Sequence, residues 1–127
     1  MSKNKLLLSL PPFIAALFDT SITIAGQTQK YWDGDLSQAN EGNPIGATFM
    51  SWHVSGLFII SGIWLIIIPL AGYYLPKKAS KIFLLFVLIA HSFGGSTWLV
   101  YKYHFWLAML FILFNATFYV LINERHA

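Results

Sequence analysis

The chain has 127 residues, of which 57% are hydrophobic and only 10% charged, with a mean hydropathy of +0.62. A soluble domain of this size needs a charged exterior that such a composition does not supply. The net charge of +3 gives no nucleic-acid signature, because Lys and Arg sit at the ends of apolar runs rather than in a basic stripe. Cysteine is absent, which excludes disulfides, thiolate metal sites and thiol catalysis.

Four apolar stretches of about 20 residues each consume most of the chain. The first runs from 6 to 26. Its basic start and apolar run resemble a signal peptide, but the run continues past that length into Asp19 and Thr23 and is expected to be a retained span. Pro11 and Pro12 near its inner end allow a kink. A loop over 27–46 follows, carrying Asp33, Asp35 and Glu41 among turn-forming glycines. Its length marks it as a lid or binding segment. Within it, Asn43-Pro44 is a helix-start signal, with Asn as cap and Pro at the first helical position. The second span is expected over 47–70, the third over 82–101 and the fourth over 105–122, the last two joined by a tight hairpin.

These elements predict one all-α domain over 1–127, an integral membrane four-helix bundle in contact with the lipid bilayer. Lys3, Lys5, Lys77, Lys78, Lys81 and Arg125 fall on one side of it, and Lys30 and Lys102 on the other. The positive-inside rule then puts both termini in the cytoplasm, in a membrane expected to be the cytoplasmic membrane of a prokaryote. Tyr31, Trp32, Trp52, Trp98, Tyr101, Tyr103 and Trp106 form an aromatic belt at the outer interface. The apolar exterior suits a monomer, a homo-oligomer or a subunit of a larger membrane complex equally well.

Each span carries one strongly polar residue: Asp19, His53, His91 and Asn115. Polar and ionisable groups at such depth are costly and normally face the bundle interior, where they mark a site. At about 1.5 Å per residue, Asp19 and His53 lie roughly 10 and 9 Å below the outer surface, and His91 and Asn115 roughly 15 Å. Asp19 shares a face with Ala15, Ala16, Thr23 and Gly26, and His91 with Gly94, Gly95 and Trp98. Small residues at these spacings also serve as plain packing seams. His53 is the expected partner of Asp19. Asn115, with Tyr119 one turn on, is expected to bond His91 and fix its tautomer.

Three chemistries fit this set. Asp19, His53 and His91, with Glu41 folded in from the loop as a further ligand or general base, would suit a divalent metal such as zinc or iron. That centre could act on a lipid or a membrane-dissolved substrate. Alternatively, His53 and His91 could be the axial pair of a b-type haem, with the glycines beside His91 admitting the macrocycle. Third, the cluster could simply lock the helices of a non-catalytic accessory subunit. Serine catalysis finds no elbow motif, and the Asn115-Ala116-Thr117 sequon lies inside the bilayer.

Asp19-Thr20-Ser21-Ile22-Thr23 followed by Glu41-Gly42-Asn43-Pro44 resembles a pattern in small bacterial and archaeal membrane proteins of unknown function, the DUF5658-like group. Those proteins place D-x-x-x-T late in a first span and E-x-N-P before the next. The resemblance covers the first third to half of the chain and leaves out both span histidines. It implies that Asp19, Thr23, Glu41, Asn43 and Pro44 act together, and implies no activity.

Overall fold

A computed structural model describes residues 2–126, with the side chains of Ser2 and Lys3 outside the described residues. The elements in chain order are α1 (Ser2–Leu8), α2 (Leu10–Ala25), α3 (Gln29–Trp32), a 3-10 turn (Leu36–Gln38), α4 (Pro44–Met50), α5 (Gly56–Tyr74), α6 (Lys77–Lys102) and α7 (Phe105–His126). Every regular element among the described residues is helical. Helices α5, α6 and α7 are long and apolar enough to cross a membrane; α2 is apolar but shorter, at 16 residues.

The first apolar stretch is not one helix. It breaks at Ser9, between α1 and α2, because Pro11 and Pro12 have no N–H to continue the ladder. Ser9 turns its hydroxyl back to the Lys5 carbonyl at 3.3 Å, and its side chain packs where a Cβ on Gly72 would stand. Lys5 Nζ donates to the Tyr73 carbonyl at 3.0 Å, which ties α1 to the end of α5 and satisfies a helix-terminal acceptor.

The second stretch also divides. The sequence reads as one helix over 47–70, yet α4 ends at Met50 and α5 begins at Gly56. Ser51, Trp52, His53, Val54 and Ser55 form the turn between them. Gly56 makes this break possible, since a Cβ there would collide with the Phe49 carbonyl. The His53 side chain also offers a partner to the freed backbone, as Ser55 N–H donates to His53 Nδ1 at 3.1 Å.

The core of the bundle is the α2–α6 pair, and both α5 and α7 pack against it. Ala15 and Ala16 of α2 are fully buried, and Val87 of α6 is as well. Lipid is as apolar as these side chains, so contact between helices depends on close packing rather than hydrophobic burial. Glycine supplies that closeness. Gly26 leaves room for the Trp98 ring, and Gly95 for the rings of Phe111 and Phe18. A second cluster, Tyr31, Met50 and Leu57, anchors the 27–46 loop to α4 and α5. Tyr31 is fully buried and donates its hydroxyl to the Val54 carbonyl at 3.0 Å.

α6 extends to 77 and 102, beyond the expected 82–101, and α7 runs on to 126. Between them only Tyr103 and His104 are non-helical, and His104 Nδ1 accepts from Leu107 N–H at 3.2 Å as a cap for α7.

Candidate functional site

Asp19 leaves α2 toward α6 and meets His91. The carboxylate Oδ2 lies 2.8 Å from His91 Nδ1, and the two side chains are only 18% and 17% exposed. Gly94, one turn beyond His91, permits the approach, because a Cβ there would stand 2.5 Å from Asp19 Oδ2. On the other edge of the imidazole, Trp64 of α5 donates its indole N–H to His91 Nε2 at 2.7 Å. An indole nitrogen can only donate, so Nε2 must be the unprotonated nitrogen. The proton therefore sits on Nδ1 and is donated to Asp19. One carboxylate and one indole together fix the ring, its tautomer and its neutral state, across three helices.

The Asp19 partner is thus His91, not His53. His53 lies in the exposed turn between α4 and α5, with Nδ1 bonded to the Ser55 hydroxyl at 2.9 Å. The depth of roughly 9 Å assigned to it assumed an unbroken helix over 47–70. Asn115 is likewise not the residue that sets the His91 tautomer. It is buried on α7 and donates to the Ser92 hydroxyl at 2.9 Å, one residue along α6 from His91. Tyr119 lies beside it, lining an apolar cavity between α6 and α7, while its carbonyl accepts from Asn123.

Asp19, His91 and Trp64 line a cavity of about 900 Å³ at the end of the bundle that carries the 27–46 loop. Glu41, Gly42 and Asn43 of the outer loop form part of its wall. The loop is held there by Gln27, which is buried at the end of α2. Its Nε2 donates to the Asn40 carbonyl at 2.9 Å, and its Oε1 accepts from Asn40 N–H at 2.8 Å. Asn40 hands the chain on to Glu41. No pattern in the sequence singles out Gln27 or Trp64. A glutamine just past a helix end and a tryptophan mid-span both read as ordinary until their partners are known.

Asn43 caps α4, accepting from Ile45 N–H at 3.0 Å, with Pro44 following as the first helical residue. Glu41 Oε1 accepts from Asn43 N–H at 3.0 Å, so the carboxylate is fixed to the loop and half-buried in the cavity wall. Burial raises its pKa, and the Asp19 charge adds to the rise, while bonding to the Asn43 backbone opposes it. Thr23 also faces the cavity, but its hydroxyl is committed to the Asp19 carbonyl at 2.7 Å.

For a metal, the donor set is incomplete. No group of three or more His, Asp or Glu side chains among the described residues is arranged to hold an ion. Both ring nitrogens of His91 are engaged, and His53 is not in the cavity wall. The two imidazoles do not face a common cavity, so they do not frame a haem plane.

Comparison with family models, with curated proteins and with solved structures returns no match to this chain. The likeness around Asp19–Thr23 and Glu41–Pro44 therefore rests on those short motifs alone.

Proposed function

We propose that the chain is a four-span membrane protein with both termini in the cytoplasm, and that it binds a small ligand in a pocket open to the outer side. The observation that carries this reading is the Asp19–His91–Trp64 chain in the wall of a cavity of about 900 Å³. That volume suits a drug-sized molecule. The bonding chain holds its polar groups rigid before any ligand arrives, which lowers the ordering cost of binding. The loop from Asn40 to Gly46 acts as the outer wall of the pocket.

The absence of cysteine offers a clean test. Ser61→Cys, in the pocket wall, and Asn43→Cys, on the loop, should react with a membrane-impermeant maleimide added to intact cells. Ala79→Cys, near the start of α6, should react only after the cells are opened. Labelling of Ala79→Cys in intact cells would reverse the orientation. Protection of Ser61→Cys under all conditions would remove the open pocket.

A divalent metal is the second reading: Asp19, Glu41 and His91 line one cavity, but they are not grouped to hold an ion as they stand and would have to rearrange around it. It requires His91 to release either Trp64 or Asp19. Stoichiometric metal in the purified protein, lost in His91→Ala, would favour it over the organic ligand.

A further inference from the structure

Resting on the pocket reading above, the chemistry of the wall narrows the ligand class. Three ionisable side chains of the wall matter: Asp19, Glu41 and His91. His91 is neutral while it accepts from Trp64. The wall contains no Lys or Arg. Lys102 is at the rim, 5.7 Å from the Trp98 ring centroid, and is not part of the lining. The pocket is therefore negative when its carboxylates are ionised.

Two acceptors in it are free. Asp19 Oδ2 takes the proton of His91 and Glu41 Oε1 takes the Asn43 N–H. Asp19 Oδ1 and Glu41 Oε2 receive no hydrogen bond among the described residues, and neither is sealed off as a buried orphan. Carboxylate oxygens left this way at a membrane interface call for donors that carry positive charge.

The remaining wall is apolar and aromatic, with the ring of Trp64 beside His91 and the rings of Trp98 and Tyr101 near the end of α6. Ring faces of this kind attract a cation. Farther in, Phe86 and Phe93 of α6 line the cavity and are also 63% and 72% exposed, so this side of the pocket continues onto the lipid-facing surface. A ligand can keep its head between the carboxylates while its tail lies along α6.

We propose that the pocket takes a protonated amine bearing an apolar tail, with the ammonium donating to Asp19 Oδ1 and Glu41 Oε2. Aliphatic amines titrate near pH 10, so the head is charged at neutral pH. A bare metal ion would leave most of the cavity empty. A phospholipid headgroup would bring a phosphate against two carboxylates with no cation in the wall to meet it. The occupant is thus a simple amphiphilic amine rather than an amino-phospholipid. Its charge also offsets the burial that raises the Glu41 pKa.

The test is calorimetric titration of the full chain in phosphatidylcholine nanodiscs with decylamine, decyl sulfate and decanol, each corrected with empty discs. Decylamine should bind at one site per chain, at least tenfold tighter than the other two. Asp19→Asn and Glu41→Gln should each weaken it at least tenfold. Glu41→Gln retains the bond to Asn43, so its effect reads charge rather than folding. Equal affinity for the three amphiphiles, or unchanged decylamine binding in both variants, would overturn the proposal. Competition by phosphatidylethanolamine in the disc as strong as by free amine would do so too. If Ser61→Cys is labelled from outside but decylamine shows no preference, the open pocket stands and the ligand class fails. If Ser61→Cys stays protected, the pocket itself is lost.

Discussion

The indole of Trp64 hands its proton toward His91 Nε2 at 2.7 Å, and through that contact α5 dictates which nitrogen of an α6 imidazole faces α2. Without the indole, the Asp19 carboxylate would still require the proton on Nδ1, but Nε2 would lose the donor that marks it as the acceptor. With it, only Nδ1 can carry the proton, and the Asp19 carboxylate receives the N–H.

Trp64→Phe is therefore expected to leave His91 Nε2 without its donor while Asp19 keeps the Nδ1 proton and most of the packing stays. In protein labelled with ¹⁵N-histidine, the wild type should show His91 Nε2 as the unprotonated nitrogen, and the variant should show the Nε2 shift moved by loss of the indole bond while Nδ1 stays protonated. The lost hydrogen bond should destabilise by about 1 kcal/mol. A protonated Nε2 in the wild type would contradict the assignment.

Gly94→Ala should separate α2 from α6 at the pair itself, since the new methyl would stand 2.5 Å from Asp19 Oδ2. A loss of about 1–3 kcal/mol is expected, the usual penalty for overpacking a tight contact. Gly62→Ala is the control, because nothing lies within 4 Å of its Cβ position. There the better helix former should be neutral or stabilise by up to about 1 kcal/mol. Unfolding titrations of both variants in mixed micelles would compare the two directly.

Glu41 gives the outer loop a pH response of defined sign. Burial holds its carboxyl above the ordinary value of 4.5, so the closed loop favours the protonated form. Its contribution to loop closure is complete below 4.5 and is lost as pH rises through the raised value. Hydrogen exchange at residues 40–44, corrected for intrinsic rates, should show protection falling over that window. Glu41→Gln should flatten the profile, and a profile unchanged by that substitution would count against it.

Ser96 is buried on α6 and its hydroxyl finds no partner among the described residues. An unmet buried hydroxyl destabilises, and removing it restores the loss. Ser96→Ala should raise stability by about 1 kcal/mol. A drop instead would mean that the hydroxyl has a partner in the membrane.

The sequence exposes the site's acids and one of its bases but misplaces their pairing. Asp19, Glu41 and His91 stand out because charge and imidazole are rare in apolar runs, and all three line the cavity. His53 stands out for the same reason, yet it lies in an exposed turn. Hydropathy runs unbroken through residues 47–70, and the signal for a break was small: two serines flanking His53, then Gly56. What that glycine permits, a backbone crossing against the Phe49 carbonyl, is a tertiary fact. Trp64 was invisible for a different reason. A tryptophan inside a span is an ordinary apolar residue until something accepts its N–H, and that acceptor is 27 positions away. The break at Ser9 was more legible, because paired prolines remove two consecutive donors.

The amide pair of Gln27 and Asn40 bonds through both edges and so closes the stretch between them into a separate knot. Inside that ring, Gly34 has φ +109 and nothing lies within 4 Å of where its side chain would be. The turn at Gly34 is therefore open to its surroundings, while Tyr31 in the same stretch stays packed against Met50 and Leu57. An epitope or a short foreign segment spliced between Gly34 and Asp35 would hang from the loop as on a hook, and the wall from Asn40 onward would hold its shape.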